Sequence, residues 1–198
     1  MTIIGITGTT GSGKTSALRA LYALGALVLD CDRIYHELLQ SSAAMLNELE
    51  GYFGDVVTGG KLDRKKLGAI VFSDPEALKK LNEITHKYVA DEVKKRLSDW
   101  EKAGGTVAAI DAIGLVDGTL KNLCDFLVAV TAPEEVRLER IMARDGITRE
   151  QAQKRISAQR PDSHFIERCD YVIESKYATP EEFEDKCREF FTEKLGGK

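Results

Sequence analysis

Apolar and polar positions along this chain alternate between two periods. Thr2-Ile3-Ile4-Gly5-Ile6-Thr7 is β-branched and nearly all apolar, which predicts a strand buried on both faces. From Lys14 to Leu24 the apolar residues return at helical spacing, at Ala17, Leu18, Leu21 and Leu24, and Gly25 follows as a C-terminal stop. Ala26–Leu29 reads as a second buried strand running into Asp30-Cys31-Asp32. Val107–Ile110, ending at Asp111, is a third; Phe126–Val130 is a fourth; Tyr171–Ile173 is a weaker fifth. Helical patterns fill the gaps. Strands alternating with helices predict an α/β fold of three layers, a five-stranded parallel sheet with helices on both faces. In such sheets ligands bind outside the carboxyl ends of the strands. Asp30, Asp32, Asp111 and the loop after the first strand all fall at those ends.

The expected organisation is a single domain over 1–198 with two interruptions. Residues 41–101 read as helical with no strand between, which predicts a helical cap. Residues 140–160 are rich in Arg on a helical pattern, which predicts a lid. The core then comprises 1–40, 102–139 and 161–198.

The first loop changes the picture most. Gly8-Thr9-Thr10-Gly11-Ser12-Gly13-Lys14-Thr15 matches G-x-x-x-x-G-K-[ST] in full, directly after a predicted strand and opening a predicted helix. Glycines let backbone N–H groups turn inward onto phosphate oxygens. The helix adds its positive N-terminal end. Lys14 reaches the β- and γ-phosphates, and Thr15 offers a hydroxyl to Mg²⁺. The loop therefore predicts a nucleoside triphosphate, ATP with Mg²⁺, held by Gly8, Gly11, Ser12, Gly13, Lys14, Thr15 and Ser16, and a P-loop kinase fold.

A kinase must also position its acceptor. Asp32 is the candidate base that orients an acceptor hydroxyl; the bland role for Asp30 and Asp32 is to cap a helix. Asp111 closes an apolar strand, as an acid that holds Mg²⁺ would, or as a turn residue would. Arg137, Arg140, Arg144, Arg149, Arg155 and Arg160 fall in one predicted helical hairpin, and Arg140 and Arg144 share a face. Such a cluster suits the charge spread over a transferring phosphoryl group; the alternative is a solvated face paired with Glu135, Glu139 and Glu150. His36, His86 and His164 are not spaced for a metal. Asp111-Ala112-Ile113-Gly114 spells the D-x-x-G of GTPase switches, but no N-K-x-D follows anywhere.

Composition narrows the partners. The 198 residues carry 28 Lys and Arg against 32 Asp and Glu, a net charge of −4, which disfavours broad nucleic-acid binding. No apolar run is long enough for a membrane helix. No basic leader precedes Thr2, so the cytoplasm is the expected location. Cys31, Cys124, Cys169 and Cys187 are far apart, without zinc spacing, and read as free thiols. No oligomer is implied.

The motifs taken together resemble the dephospho-CoA kinase family, P-loop kinases of the nucleoside-monophosphate-kinase type. That family's T-G-G-I-G-S-G-K-S is similar to Thr7–Thr15, and its D-A-D to Asp30-Cys31-Asp32. Its G-x-i-D-R-x-x-L…v-F resembles Gly60–Leu67 with Val71-Phe72, and its L-x-x-I-x-H-P resembles Leu81–Lys87. Its R-x-x-x-R-d…R-i-x-x-Q resembles Arg140, Arg144-Asp145 and Arg155–Gln159, and its A-D-x-v-I resembles Cys169–Ile173. Lys87 stands where the family has Pro, and Ile113–Asp117 departs from the family's P-L-L-F-E. The resemblance implies transfer of the ATP γ-phosphate to the ribose 3′-hydroxyl of dephospho-CoA, with Mg²⁺. It implies Asp32 as base, 41–101 as the CoA-binding cap, Arg64 and His86 as acceptor contacts, and Arg140 and Arg144 as a phosphate clamp. The departure at Ile113–Asp117 leaves open a kinase of this fold for another nucleotide or metabolite. A P-loop NTPase switch is the reading from a different class.

Overall fold

The computed structural model describes residues 1–177 and 179–196. In chain order the elements are β1 (Thr2–Thr7), α1 (Lys14–Ala23), β2 (Leu27–Asp30), α2 (Cys31–Ser41), α3 (Ala43–Phe53), β3 (Val57–Thr58), β4 (Lys61–Leu62), α4 (Arg64–Val71) and α5 (Pro75–Lys102). There follow β5 (Val107–Asp111), a 3₁₀ turn (Thr119–Leu123), β6 (Phe126–Thr131), α6 (Glu134–Asp145), α7 (Arg149–Ser157), α8 (Asp162–Ile166), β7 (Tyr171–Glu174) and α9 (Pro180–Gly196).

All five predicted strands form one sheet of order β2-β5-β1-β6-β7. β1 is central and parallel to both neighbours, with Ile6 opposite Asp111 on one side and Val128 on the other. β7 adds to β6 in parallel, so these carboxyl ends share one edge. The burial follows from the apolar run: Ile4 and Ile6 pack with Ala17 and Leu21 of α1 and with Phe183, Cys187 and Phe191 of α9. On the opposite face a Cβ on Gly5 would overlap Leu127 and Leu115, so glycine there admits close packing.

Two Cys-Asp-aromatic steps set the register of the late strands. Asp125 Oδ2 accepts the Ile3 N–H at 2.7 Å, and the Asp125 N–H donates to the Ile3 carbonyl. Asp170 Oδ2 accepts the Leu127 N–H at 2.7 Å, and the Asp170 N–H donates to the Leu127 carbonyl. Each strand is thus clamped to its neighbour before the ladder begins. Burial raises the thiols of Cys124 and Cys169 to about 12 and about 11, so both serve as small apolar residues.

The chain separates into two compact units, one of them Asp30–Asp99 and the other comprising the remaining described residues. Within the Asp30–Asp99 unit, Leu39, Met45, Leu46, Leu49 and Ile84 form one cluster, and Val56, Leu67, Val71 and Ala77 another. The expectation of no strand in 41–101 is corrected here, because β3 and β4 pair antiparallel as a small hairpin. Its two-residue turn is Gly59-Gly60, with φ of 59° and 74°, a conformation that twists correctly into a hairpin but suits only glycine-like residues. Strands of two residues are too short to show a period.

Candidate active site

The loop between β1 and α1 is shaped by its surroundings as much as by its glycines. Gly8, Gly11 and Gly13 have φ of 142°, 77° and 102°. A Cβ on Gly8 would run into the Val130 carbonyl at the end of β6. One on Gly13 would meet the Phe183 ring at 2.9 Å and Ser175 Oγ at 3.0 Å. One on Gly11 would lie 3.0 Å from the Arg137 carbonyl oxygen and 3.1 Å from its Cα. The loop is therefore wedged between β6, α9 and α6, with no room for side chains at these three points.

α1 begins at Lys14 with no side chain capping its N-terminus and no acid in its first turn. That end presents N–H groups and the positive end of the helix dipole, which an anion satisfies. Ser12 Oγ is buried without a hydrogen-bond partner among the described residues. Lys14 Nζ donates to the Gly8 carbonyl at 2.8 Å, so the lysine lies back along the loop. Thr15 is exposed, and Ser16 is buried on α1. Asp111 ends β5 in register with Ile6 on β1. Among the described residues no cluster of three or more His, Cys, Asp or Glu could hold a metal alone. This set fits an ion such as Mg²⁺ held by one or two protein groups plus phosphate oxygens, and does not fit an all-protein cage.

The predicted arginine hairpin is present as α6 and α7, joined through Gly146 with φ 63° and a capping box at Thr148 and Gln151. Leu138, Ile141, Ala152 and Ile156 hold the two helices together. The arginines divide by partner. Arg144 donates through Nε and Nη2 to Asp145 at 2.8 and 2.9 Å, and Arg155 joins the same carboxylate. These bonds, the Arg144 one first, hold the Asp145 carboxyl below its ordinary range. Arg149 pairs with Glu135 as a surface ion pair. Arg137 is buried against Asp162 and the loop. Arg140 has no carboxylate partner among the described residues; its Nη1 donates to the Gly11 carbonyl at 3.2 Å. Desolvation lowers the Arg140 pKa, so an uncompensated cation stands against the phosphate loop.

Several residues that reach the loop were not singled out from sequence. Thr9 Oγ1 donates to Asp162 Oδ1 at 2.9 Å, and the Thr10 N–H donates to Gln159 Oε1 at 2.9 Å. Gln159 ends the R-i-x-x-Q pattern, and this bond supplies its purpose. Asp162, the first residue of α8, carries no such signal.

In the Asp30–Asp99 unit, Asp30 is the N-cap of α2 and accepts the Arg33 N–H at 3.0 Å, which is the capping role. Asp32 lies in the first turn of α2 with its side chain exposed. Asp63 caps α4 through the Lys65 and Lys66 N–H groups, both at 3.0 Å, which fixes Arg64 as the first helical residue. Arg64 Nη2 then meets His36 Nδ1 at 3.2 Å, one helical turn beyond Asp32. Arg64 also partly offsets the burial that raises the Tyr35 hydroxyl pKa. His86 is exposed on α5 and joins no part of this pair among the described residues. Within the other unit, the divergent segment Ile113–Asp117 is tied down by Asp117, whose Oδ2 lies 2.9 Å from His164 Nε2.

Comparison with known proteins agrees with this geometry. The family model for dephospho-CoA kinase matches residues 2–181. The dephospho-CoA kinase of Geobacter sulfurreducens is 34% identical over 197 residues, 98% of this chain and the whole of that relative. The solved TT1252 protein of Thermus thermophilus superposes with a TM-score of 0.79 at 32% identity, covering 98% of this chain and 97% of that one. Dephospho-CoA kinase from Campylobacter jejuni superposes with a TM-score of 0.69 at 25% identity, covering 98% of both. A phosphate loop in its strand-to-helix setting, an arginine hairpin against it and a match along nearly the whole length have one common account: the chain belongs to the dephospho-CoA kinase family.

Proposed function

We propose that this phosphotransferase moves the γ-phosphate of ATP to the ribose 3′-hydroxyl of dephospho-CoA, releasing ADP and CoA. The observation that carries the reading is the phosphate loop faced by Arg140, a half-buried guanidinium with no carboxylate partner among the described residues. The Asp30–Asp99 unit is the cap that receives the CoA moiety, and the α6–α7 hairpin is the lid.

Each residue has a task. Backbone N–H groups of Gly8 to Thr15 and the α1 N-terminus hold the β- and γ-phosphates, and Lys14 supplies a point charge there. Asp32 accepts the proton of the 3′-hydroxyl as that oxygen bonds to the γ-phosphorus and the bond to the β–γ bridging oxygen breaks. Arg140, with Arg144 beside it, stabilises charge on the transferring group. Arg64, held by His36, and His86 contact the acceptor. Thr15 and Asp111 would hold Mg²⁺, which would neutralise phosphate charge when bound. A cytoplasmic site suits the four free cysteines, which a reducing compartment preserves. The net charge of −4 argues against nucleic acid as a partner, while the phosphate loop and Arg140 supply the local positive field that ATP and dephospho-CoA need.

The reading is tested with Asp32→Asn. ATP affinity should stay near that of the unaltered protein while dephospho-CoA-dependent ADP release falls by about 10²-fold or more. Unchanged turnover would remove Asp32 from the chemistry.

A further inference from the structure

The first half of the phosphate loop is held in large part from outside the loop. Both backbone polar groups of Thr10 are engaged by side chains from far along the chain: its N–H by Gln159 Oε1 at 2.9 Å, and its carbonyl by Arg137 Nε at 3.1 Å. The Thr9 hydroxyl donates to Asp162 Oδ1 at 2.9 Å. Arg137 Nη1 lies 3.4 and 3.5 Å from the two Asp162 oxygens, long for hydrogen bonds but close enough for strong attraction at low dielectric. Arg137 is only 5% exposed, and its Nη2 has no hydrogen-bond partner among the described residues. A guanidinium buried this deeply is costly, and a carboxylate beside it offsets that cost only when the geometry is fixed.

We propose that Arg137 and Asp162 are positioning residues that lock Thr9 and Thr10, and so preset the loop's amides in the arrangement that receives phosphate. The inference rests on the reading of this loop as the nucleotide site. Arg137 touches the loop in two ways: its backbone packs on Gly11, and its side chain fixes the Thr10 carbonyl. Arg137 Nε thus fixes the plane of the Thr10–Gly11 peptide, and with it the direction of the Gly11 N–H, while Gln159 and the Ser12 N–H fix that of the Thr9–Thr10 peptide, so neither plane can rotate when an anion binds. Donors fixed beforehand need no reorganisation when charge arrives. Asp162 serves twice, compensating Arg137 and pinning Thr9, so the two acts form one unit. This unit sits on α6 and at the start of α8. The segments that carry the arginines therefore also carry the loop's support.

The test uses the full chain and titration calorimetry with Mg²⁺-ADP, which needs no acceptor and no turnover. Thr9→Val removes only a hydroxyl, and Asp162→Asn removes only the charge. Each should weaken ADP binding by about tenfold, the scale of one charge-assisted hydrogen bond. The double variant should be no weaker than about tenfold, because the residues act as one unit; independent residues would give about a hundredfold. Arg137→Lys keeps the charge but not the fork, and should resemble the single variants. The KM for dephospho-CoA should stay within about twofold, which a general loss of structure would not allow. Single variants that bind ADP within about twofold of the unaltered protein, even with lowered melting temperatures, would overturn the proposal, as would multiplicative losses in the double variant. Failure of the unaltered protein itself to bind ADP would overturn both the proposal and the nucleotide-site reading. Binding by the unaltered protein that is lost in Lys14→Ala but kept in all the other variants would sink the proposal alone.

Discussion

Gly11 occupies a place that the loop motif leaves free, yet the structure makes it one of the least replaceable residues. Its φ of 77° is left-handed, which costs an alanine roughly 1–2 kcal/mol. A Cβ would also sit 3.0, 3.1 and 3.2 Å from the carbonyl oxygen, Cα and Cβ of Arg137. These are atoms of helix α6, which cannot swing aside as a flexible side-chain end could. Helix or loop must shift by a few tenths of an ångström, and overpacking of this kind costs roughly 1–3 kcal/mol. Gly25 provides the control, because its φ of 83° is equally left-handed but its Cβ would meet no atom of the described residues within 4 Å beyond its chain neighbours. Gly25→Ala should therefore cost only the conformational part, and Gly11→Ala should exceed it by roughly 1–3 kcal/mol in denaturant unfolding. Mg²⁺-ADP affinity should fall in Gly11→Ala and hold in Gly25→Ala. Equal stability losses would show that α6 does not press on the loop, and would refute the reasoning.

Three further predictions follow from the same contacts. Arg140→Gln should lower kcat by about 10³-fold or more with a smaller effect on ADP binding, since the guanidinium is proposed to answer charge that develops during transfer; a loss under about tenfold would reassign it to structure. Asp170→Ala orphans the Leu127 N–H and should lower stability by about 1–3 kcal/mol, read as a shift in denaturant midpoint at unchanged slope. Burial raises the thiols of Cys124 and Cys187 from 9.0 to about 12 and that of Cys169 to about 11, so the unfolded chain releases these protons first. Their contribution to stability should be intact below pH 9.0 and decline as pH rises toward 11 to 12, and native thiols should resist alkylation near neutrality until the protein is unfolded.

The parts of the molecule legible in the sequence are those whose cause is local. β1 could be read because Ile3, Ile4 and Ile6 need burial on both faces, and the loop could be read because phosphate binding demands glycine and lysine at fixed offsets. The arginine hairpin was readable for the same reason, from the run of arginines on a helical pattern between Arg137 and Arg160. What could not be read depends on distant partners. The β3–β4 hairpin has two-residue strands, so its only mark was Gly59-Gly60. Asp162 supports Thr9 across most of the chain, and nothing beside it announces that task. Sequence likewise treated the arginines as one group. The structure distinguishes Arg140 from Arg144 and Arg155 because Asp145 binds the latter two, although Arg144 Nη2 also lies 3.5 Å from Thr10 Oγ1 of the loop. Asp30 and Asp32 were equal candidates for capping, and only the α2 geometry gave the cap to Asp30.

The central claim concerns one hydroxyl. Incubation with Mg²⁺-ATP and dephospho-CoA, followed by phosphorus NMR of the product, tests it most directly. The account predicts a new phosphomonoester whose phosphorus couples to the ribose H3′, formed together with ADP and absent when AMP, GMP or cytidine monophosphate replaces dephospho-CoA. Coupling to H2′, or ADP and a new phosphorylated product (a nucleoside diphosphate or a phosphomonoester) formed only with one of the other acceptors, would contradict it.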